Sequence, residues 1–178
     1  MKTGIAVSEH EYLTNPDYEH SEYAGGEVIE RPMGNKDHNR LQGRIFSQLE
    51  VFAEKHGLYV GTELHSRLTV GREIIFRVPD VGLAEEDQFD EKKYHMGGPL
   101  LVVEIRSPED RTKAILKKAE EYFDNGTKLV WIVDPEARNV MVLVSDRIPW
   151  IIEVGEELSG APIWPDLKVD LEAAFKGI

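Results

Sequence analysis

Two carboxylates lie in apolar surroundings near the middle of the chain. Asp80 follows a proline at the end of an apolar segment, and Glu104 interrupts the apolar run of residues 100–105. A run of this kind, rich in Val and Leu, predicts a central strand that is covered on both faces. Burying an unpaired charge costs on the order of several kcal/mol, so Glu104 must meet a cation, a metal ion or a hydrogen-bond network, or else be protonated. This cost marks a candidate site.

Asp80 and Glu104, together with a lysine on the next helix, form a pattern that favours metal-assisted hydrolysis. Pairing of the strand that carries Asp80 with the strand that carries Glu104 would bring the two carboxylates close together. Two carboxylates, joined by the backbone carbonyl of Ile105 and by waters, suit Mg²⁺ or Mn²⁺ better than zinc. Lys118, on the following helix, could orient or deprotonate a metal-bound water, and the metal would stabilise charge on a scissile phosphate. The pattern indicates a phosphodiester hydrolase.

Each of these residues could also have a purely structural role. Glu104 could form a buried ion pair with Arg106 or Lys118 that holds the fold together without chemistry. Asp80, placed after proline, could form a turn or end a strand. A lysine on an apolar helix face is usually an edge residue whose charge reaches solvent.

Composition limits the class of protein. With 178 residues and 41% hydrophobic content, the chain fits one globular domain spanning residues 1–178. The absence of cysteine excludes disulfides, cysteine-ligated zinc and thiol nucleophiles. The N-terminus lacks an apolar signal region, and no apolar run approaches the roughly 18 residues of a membrane span. We therefore expect a cytoplasmic protein without a membrane partner.

The net charge and the absence of several catalytic motifs reduce the number of possible functions further. Lysine and arginine number 21 against 33 acidic residues, and the formal net charge of −12 opposes nonspecific attraction to nucleic-acid phosphates. The sequence has no glycine-rich phosphate loop, dinucleotide fingerprint, nucleophile elbow or His-Glu-x-x-His motif. These absences favour the metal-dependent hydrolase.

The first half of the chain predicts two helices and several strands. A capping box at Ser8 predicts a short helix over 9–13, and Gly25-Gly26 joins a hairpin within 22–30. Helical spacing of apolar residues predicts the longest helix over 36–56, with His38 on its buried side. Alternation predicts a strand over 64–70 and, after a turn, a strand over 73–83 that carries Asp80.

The second half continues the alternation of strands and helices. Residues 85–99 read as a loop, and a helix is expected to begin near 109 or 110. On that helix Lys118 lies on the apolar face, whereas Lys113, Lys117 and Glu121 are expected on the solvent-exposed face. Further strands are predicted at 129–134, 139–144 and 150–154, with a last helix over 169–175. Together the elements predict an α/β (α+β) domain with a mixed central sheet flanked by helices.

Several short motifs occur in a fixed order along nearly the whole chain. They are Glu11-Tyr12-Leu13, Glu22 with Gly26-Glu27, His38, Val78-Pro79-Asp80, Val103-Glu104-Ile105 with Ser107-Pro108, Lys118 with Tyr122, Gly126, Val130-Trp131-Ile132-Val133-Asp134-Pro135, and Leu158-Ser159-Gly160 with Pro165. In these motifs the chain resembles the PD-(D/E)XK nuclease superfamily and, more closely, the bacterial Uma-type family of restriction-endonuclease-like proteins.

The resemblance implies a restriction-endonuclease-like core with metal ligands at Asp80 and Glu104. It implies that Lys118 replaces the lysine normally found two residues after the second carboxylate. It also implies a further acidic site residue at Glu27, with Glu22 and His38 in support. Taken alone, Glu27 could be a solvated turn residue and His38 a structural histidine.

Two positions depart from the family pattern. Arg106 stands where the superfamily has its lysine, and an arginine stays protonated and cannot act as a base. Ala114 stands four residues before Lys118, where the family favours Asp.

Two main functions follow from these observations. The first is a Mg²⁺- or Mn²⁺-dependent endodeoxyribonuclease-like hydrolase that acts on DNA. The second is a nuclease-fold module that binds or regulates without cleaving, which the acidic net charge and the two departures favour. Hydrolysis of a smaller phosphate ester is a third possibility.

A homodimer is expected for two reasons. Restriction-like nucleases commonly pair two active sites, and the C-terminal strands are rich in large apolar residues. These are Trp131, Met141, Trp150 and Trp164.

Overall fold

The fold is that of a computed structural model, which describes residues 6–91, 94–108 and 110–178. Helix α1, Glu9–Thr14, begins at Ser8, whose hydroxyl accepts a hydrogen bond from the Glu11 N–H as the capping box predicts. After a 3-10 turn, Pro16–Tyr18, strands β1, Ser21–Ala24, and β2, Glu27–Glu30, form the predicted hairpin. Its two glycines have φ values of 60° and 79°, which favour glycine.

Helix α2, Lys36–His56, confirms the longest predicted helix. The Asn35 side chain accepts hydrogen bonds from the N–H groups of Asp37 and His38, and Gly57 ends the helix with a φ of 65°. This cap fixes the start of α2 and therefore the position of the His38 backbone in its first turn.

The strand predicted over 73–83 is divided in two. Strands β3, Tyr59–Thr62, β4, Ser66–Val70, β5, Glu73–Arg77, and β6, Val81–Ala84, follow α2. Because β5 belongs to one sheet and β6 to another, residues 78–80 cross between the sheets. Pro79 has no N–H for a sheet ladder, which suits a crossing point. The prediction that Asp80 lies inside a strand is wrong, since Asp80 lies in this link.

The remaining strands and helices follow in order: β7, His95–Met96, β8, Leu101–Ile105, α3, Thr112–Asp124, β9, Leu129–Asp134, β10, Asn139–Leu143, β11, Trp150–Glu153, β12, Glu157–Gly160, β13, Trp164–Asp170, and α4, Leu171–Ala174. Strand β7 lies in the segment predicted as a loop and pairs with β4. Helix α3 begins later than predicted, and Glu109 lies outside the described residues. The last helix is shorter than predicted because Val169 belongs to β13, where it pairs with Leu158.

The larger sheet has the strand order β11-β10-β9-β8-β6-β3, and β8 pairs in parallel with β9 and antiparallel with β6. Helix α2 packs with Leu101, Val103 and Ile105 on one face, whereas α3 packs with Val102 on the other. A smaller sheet has the order β2-β1-β5-β4-β7. The structure therefore confirms an α+β fold with mixed sheets flanked by helices, and β8 is central.

The large apolar side chains near the C-terminus belong mainly to the core. Trp131 is fully buried, and Met141, Trp150 and Trp164 are partly buried against the core, so the surplus apolar surface expected from them is not observed. Exposed apolar side chains occur instead at Ile148 and at Ile151 on β11. None of the described helices is long and apolar enough to cross a membrane.

Candidate active site

Asp80 and Glu104 meet at the C-terminal end of β8. Strand β6 pairs antiparallel with β8 as far as Val81 opposite Val103, so the residues just beyond this pair are neighbours. The Ile105 N–H donates to Asp80 Oδ2 at 2.7 Å. Strand β6 therefore pairs with β8, and Asp80, which precedes β6 in the link between the sheets, lies beside the end of β8 that carries Glu104.

Asp80 is buried and holds three further side chains in place. Its Oδ1 accepts a hydrogen bond from Arg31 Nη2 at 3.0 Å, and His38 Nε2 lies 3.3 Å from its Oδ2. Its backbone carbonyl accepts a hydrogen bond from Gln42 Nε2 at 3.0 Å, one helical turn after His38. Burial lowers the pKa of His38, but the contact with Asp80 outweighs burial and raises it. The start of α2 is thus tied to the link between the sheets.

Glu104 lies on the face of β8 that is covered by α3. Its Oε1 accepts a hydrogen bond from the Tyr122 hydroxyl at 3.0 Å, and no hydrogen bond from a described residue reaches its Oε2. Burial raises the pKa of Glu104 to about 7; the charge of Lys118 opposes this rise, while Asp80 and Glu22 add to it. This carboxyl group therefore titrates near neutral pH.

Lys118 points into the site, as the helical spacing predicts. Its Nζ lies 2.8 Å from Glu22 Oε1. Burial lowers the pKa of Lys118, but the negative charges of Glu104 and Glu22 outweigh burial and raise it. The side chain is therefore an ammonium at neutral pH, which suits orienting a water or neutralising charge better than removing a proton.

A buried ion network lies behind Lys118. Glu22, only 1% exposed, also accepts a hydrogen bond from Arg77 Nη1 at 2.9 Å, and Arg77 Nε donates to Glu121 Oε2 at 2.8 Å. Although burial raises the pKa of Glu22, Lys118 and Arg77 together lower it. The prediction that Glu121 lies on the solvent-exposed face of α3 is wrong, because Glu121 is buried and pairs with Arg77.

Two predicted site residues lie elsewhere. Glu27 is exposed beside the turn of the hairpin, opposite Ala24, and the structure does not bring it into the cluster. Arg106 Nη1 pairs with Asp134 Oδ2 at 2.6 Å rather than with Glu104, because β8 ends at Ile105 and Arg106 follows it. A buried pair between Glu104 and Arg106 is therefore not observed.

The sequence reasoning missed three residues of the cluster: Arg31, Gln42 and Arg77. Arg77 could have been found, because it stands in the apolar segment 74–78 as Glu104 stands in its own strand. Arg31 and Gln42 carry no comparable local signal. Their contacts with Asp80 depend on where the hairpin and α2 are placed.

The donor atoms at the end of β8 fit a hard divalent cation. They are two carboxylates and the carbonyl of Ile105, which points to the same side of the strand as the N–H that contacts Asp80. Oxygen donors of this kind suit Mg²⁺ or Mn²⁺. Within the described ranges, no group of three or more His, Cys, Asp or Glu side chains is arranged to hold a metal ion, so a carbonyl and waters would have to complete the coordination.

A cavity of about 300 Å³ borders the cluster. It lies between the start of α2 and the segments that follow β8 and β9. Its lining includes Asn35, Asp37, His38, Arg106, Ser107 and Asp134. His38 lines this cavity and also contacts Asp80, so the cavity lies next to the cluster on the side of α2.

Comparisons with known proteins give a family and a fold. A family model described as "Uma2: Putative restriction endonuclease" matches residues 7–172. Among solved structures, a crystal structure of a putative nuclease belonging to DUF820 from Anabaena variabilis ATCC 29413 is similar, with a TM-score of 0.77 and 22% identity over 93% of this chain and 96% of that chain. At that identity the likeness shows the fold alone. A search of curated proteins gives no match.

The raised pKa of Glu104 predicts a pH-dependent stability difference for Glu104→Gln. In the folded wild type this carboxyl binds its proton more tightly than in the unfolded chain, so its contribution to stability is present at low pH. That contribution is lost as pH rises from about 4.5 toward about 7. The measurement is urea unfolding in metal-free buffer. The free energy of unfolding of the variant, relative to that of wild type, should rise by on the order of 2 kcal/mol between pH 5 and pH 8. A difference that does not change with pH would contradict the argument.

The buried network predicts a large cost for Arg77→Met. The substitution leaves Glu22 and Glu121 buried without the cation that they share, which should lower the free energy of unfolding by about 3–5 kcal/mol. The control is Arg67→Ala, which breaks a partly exposed pair with Glu9 and should cost about 1 kcal/mol or less. Equal losses in urea unfolding would show that burial of the network is unimportant.

Proposed function

Because the chain belongs to the Uma2 family of putative restriction endonucleases, we propose that it is a Mg²⁺- or Mn²⁺-dependent nuclease that hydrolyses phosphodiester bonds of DNA. We assign this function to a single restriction-endonuclease-like domain of residues 1–178, in the cytoplasm. One observation carries the proposal: the Asp80 carboxylate reaches the end of β8 beside Glu104, where Lys118 faces both Glu104 and Glu22.

We assign the metal to Asp80, Glu104 and the carbonyl of Ile105. When bound there, a divalent cation supplies Lewis-acid stabilisation of negative charge on the phosphate and makes a nearby water more acidic. The Tyr122 hydroxyl orients Glu104, and the Ile105 N–H and His38 orient Asp80.

Lys118 has the role of a fixed cation. Its ammonium donates hydrogen bonds, so it can hold the attacking water or a phosphate oxygen at the end of β8. Glu22 and Arg77 position it, because Lys118 and Arg77 share the Glu22 carboxylate. We therefore assign the supporting acidic role to Glu22 rather than to the exposed Glu27.

A non-catalytic nuclease-fold module is the second candidate. It is favoured by the three protein donors that already contact the Asp80 carboxylate, together with Arg106 and Ala114 in place of the family residues. In such a module the same ion pairs would only hold the two sheets together, and nucleic acid would bind without cleavage.

We also propose a homodimer. Exposed Ile148 and Ile151 lie at the β11 edge of the larger sheet, where a second copy could cover them. Light scattering should then give twice the chain mass of 20.2 kDa. A monomer at all accessible concentrations would contradict the proposal.

Metal binding provides the main test of the function. Calorimetric titration of Mn²⁺ into wild type should show binding that Asp80→Asn and Glu104→Gln reduce by at least about tenfold, because each removes a charged ligand. Below pH 7 the wild-type affinity should fall, since Glu104 must lose its proton to bind. Glu54→Gln, an exposed carboxylate change on α2, is the matched control and should bind like wild type.

Activity separates the two candidates. Wild type with Mg²⁺ or Mn²⁺ should cut linear or supercoiled DNA, and both site variants should be inactive yet folded. Retained metal affinity in both variants would contradict the metal site. DNA binding in Ca²⁺, with no cleavage of any DNA form in Mg²⁺ or Mn²⁺, would favour the binding module.

A further inference from the structure

The three donors on the Asp80 carboxylate differ in how easily they can leave it. The Ile105 N–H belongs to the backbone of β8 and is fixed. The backbone of His38 is fixed in the first turn of α2, and its short imidazole side chain reaches Asp80 directly. Arg31 reaches Asp80 Oδ1 with a long side chain from the segment between β2 and α2, and its side chain is 17% exposed. Of the three, Arg31 has the longest side chain and therefore the most freedom to change partner.

Arg31 already lies between two carboxylates. Its Nη2 is 3.0 Å from Asp80 Oδ1, and its Nη1 is 3.7 Å from Glu63 Oε1. The Glu63 N–H donates to the Asp80 carbonyl at 3.1 Å, so the backbone keeps Glu63 beside Asp80. The Glu63 side chain is 48% exposed, whereas that of Asp80 is 6% exposed. A small rotation of Arg31 would therefore exchange a buried partner for an exposed one.

A guanidinium and a divalent cation compete for the same carboxylate. Both neutralise Asp80, and two positive charges a few Å apart repel each other strongly where water is largely excluded. Movement of Arg31 toward Glu63 relieves this repulsion without leaving the guanidinium unpaired. Glu63 lies on the segment between β3 and β4, outside the set of proposed metal ligands.

We infer that Arg31 is an exchangeable counterion of Asp80 that controls access of the divalent cation, with Glu63 as its partner after exchange. This inference rests on the proposed function, because it concerns the same metal site. Arg31 is a positioning residue here: it acts on the cation through Asp80, and Glu63 determines how readily it leaves.

The test is a double-variant cycle read by Mn²⁺ calorimetry on the full chain. Arg31→Ala should bind Mn²⁺ about tenfold more tightly than wild type, because a competing charge is removed. Glu63→Gln should bind more weakly, because Arg31 loses its second partner and stays on Asp80. In the Arg31→Ala background, Glu63→Gln should weaken binding clearly less than it does in wild type, because only the direct attraction of Glu63 for the cation is then lost. Arg31→Gln, which keeps a donor but removes the charge, serves if Arg31→Ala does not fold.

A matched control excludes a general effect of charge. Lys55→Ala removes one positive charge at the far end of α2, about 25 Å from His38 at a rise of about 1.5 Å per residue, and should leave the affinity unchanged. If wild type binds Mn²⁺ and both Arg31 variants bind equally or more weakly, the inference is overturned and the proposed function stands. If Glu63→Gln weakens binding as much without Arg31 as with it, the exchange is overturned. If neither wild type nor the Arg31 variants bind, both the inference and the proposed metal site fail.

Discussion

The buried carboxylates at the end of β8 are the constraint on which the site depends. Asp80, Glu104 and Glu22 lie close enough for the charges of Asp80 and Glu22 to raise the pKa of Glu104. Each carboxylate must be neutralised or hydrogen-bonded, because the free-energy cost of an isolated buried charge is large compared with the net stability of a small domain. This requirement brings Arg77 and Lys118 together from two different elements. The ion pairs that neutralise these buried charges are therefore also the contacts that surround the proposed metal ligands.

The link between the two sheets, residues 78–80, holds Asp80 in position beside the central strand. Residues 78–80 leave β5 in the smaller sheet and enter β6 in the larger one. At the start of the link the Val78 N–H donates to Glu22, and at its end Asp80 accepts from Ile105. A short segment thus connects the hairpin, α2 and the central strand. Because Pro79 limits the conformations of the link, Asp80 is held where a backbone amide of β8 can meet it.

Much of this arrangement is local enough for the sequence to determine it. Helix α2, the glycine hairpin and the central strand follow from periodicity, capping residues and turn chemistry, which depend only on neighbours in the chain. Glu104 is a candidate on the same grounds, since a carboxylate in an apolar strand needs a partner. Lys118 faces the site because helical spacing fixes its side of α3. The resemblance to a nuclease family adds the expectation that these residues share one site.

Only the tertiary structure decided which charges meet. The sequence predicted Glu121 on the solvent-exposed side of α3 and left Arg106 open as a partner of Glu104, but Glu121 is buried against Arg77 and Arg106 pairs with Asp134. It gave no reason to choose Arg31 as the partner of Asp80. Pairing of this kind joins elements that are far apart in the chain, and local propensities carry no information about such distances. The sequence therefore determined the main helices, the hairpin, the central strand and the positions at which a buried charge is costly. Packing of the hairpin, the link and α3 determined which partner each buried charge has, because these contacts join residues that are far apart in the chain.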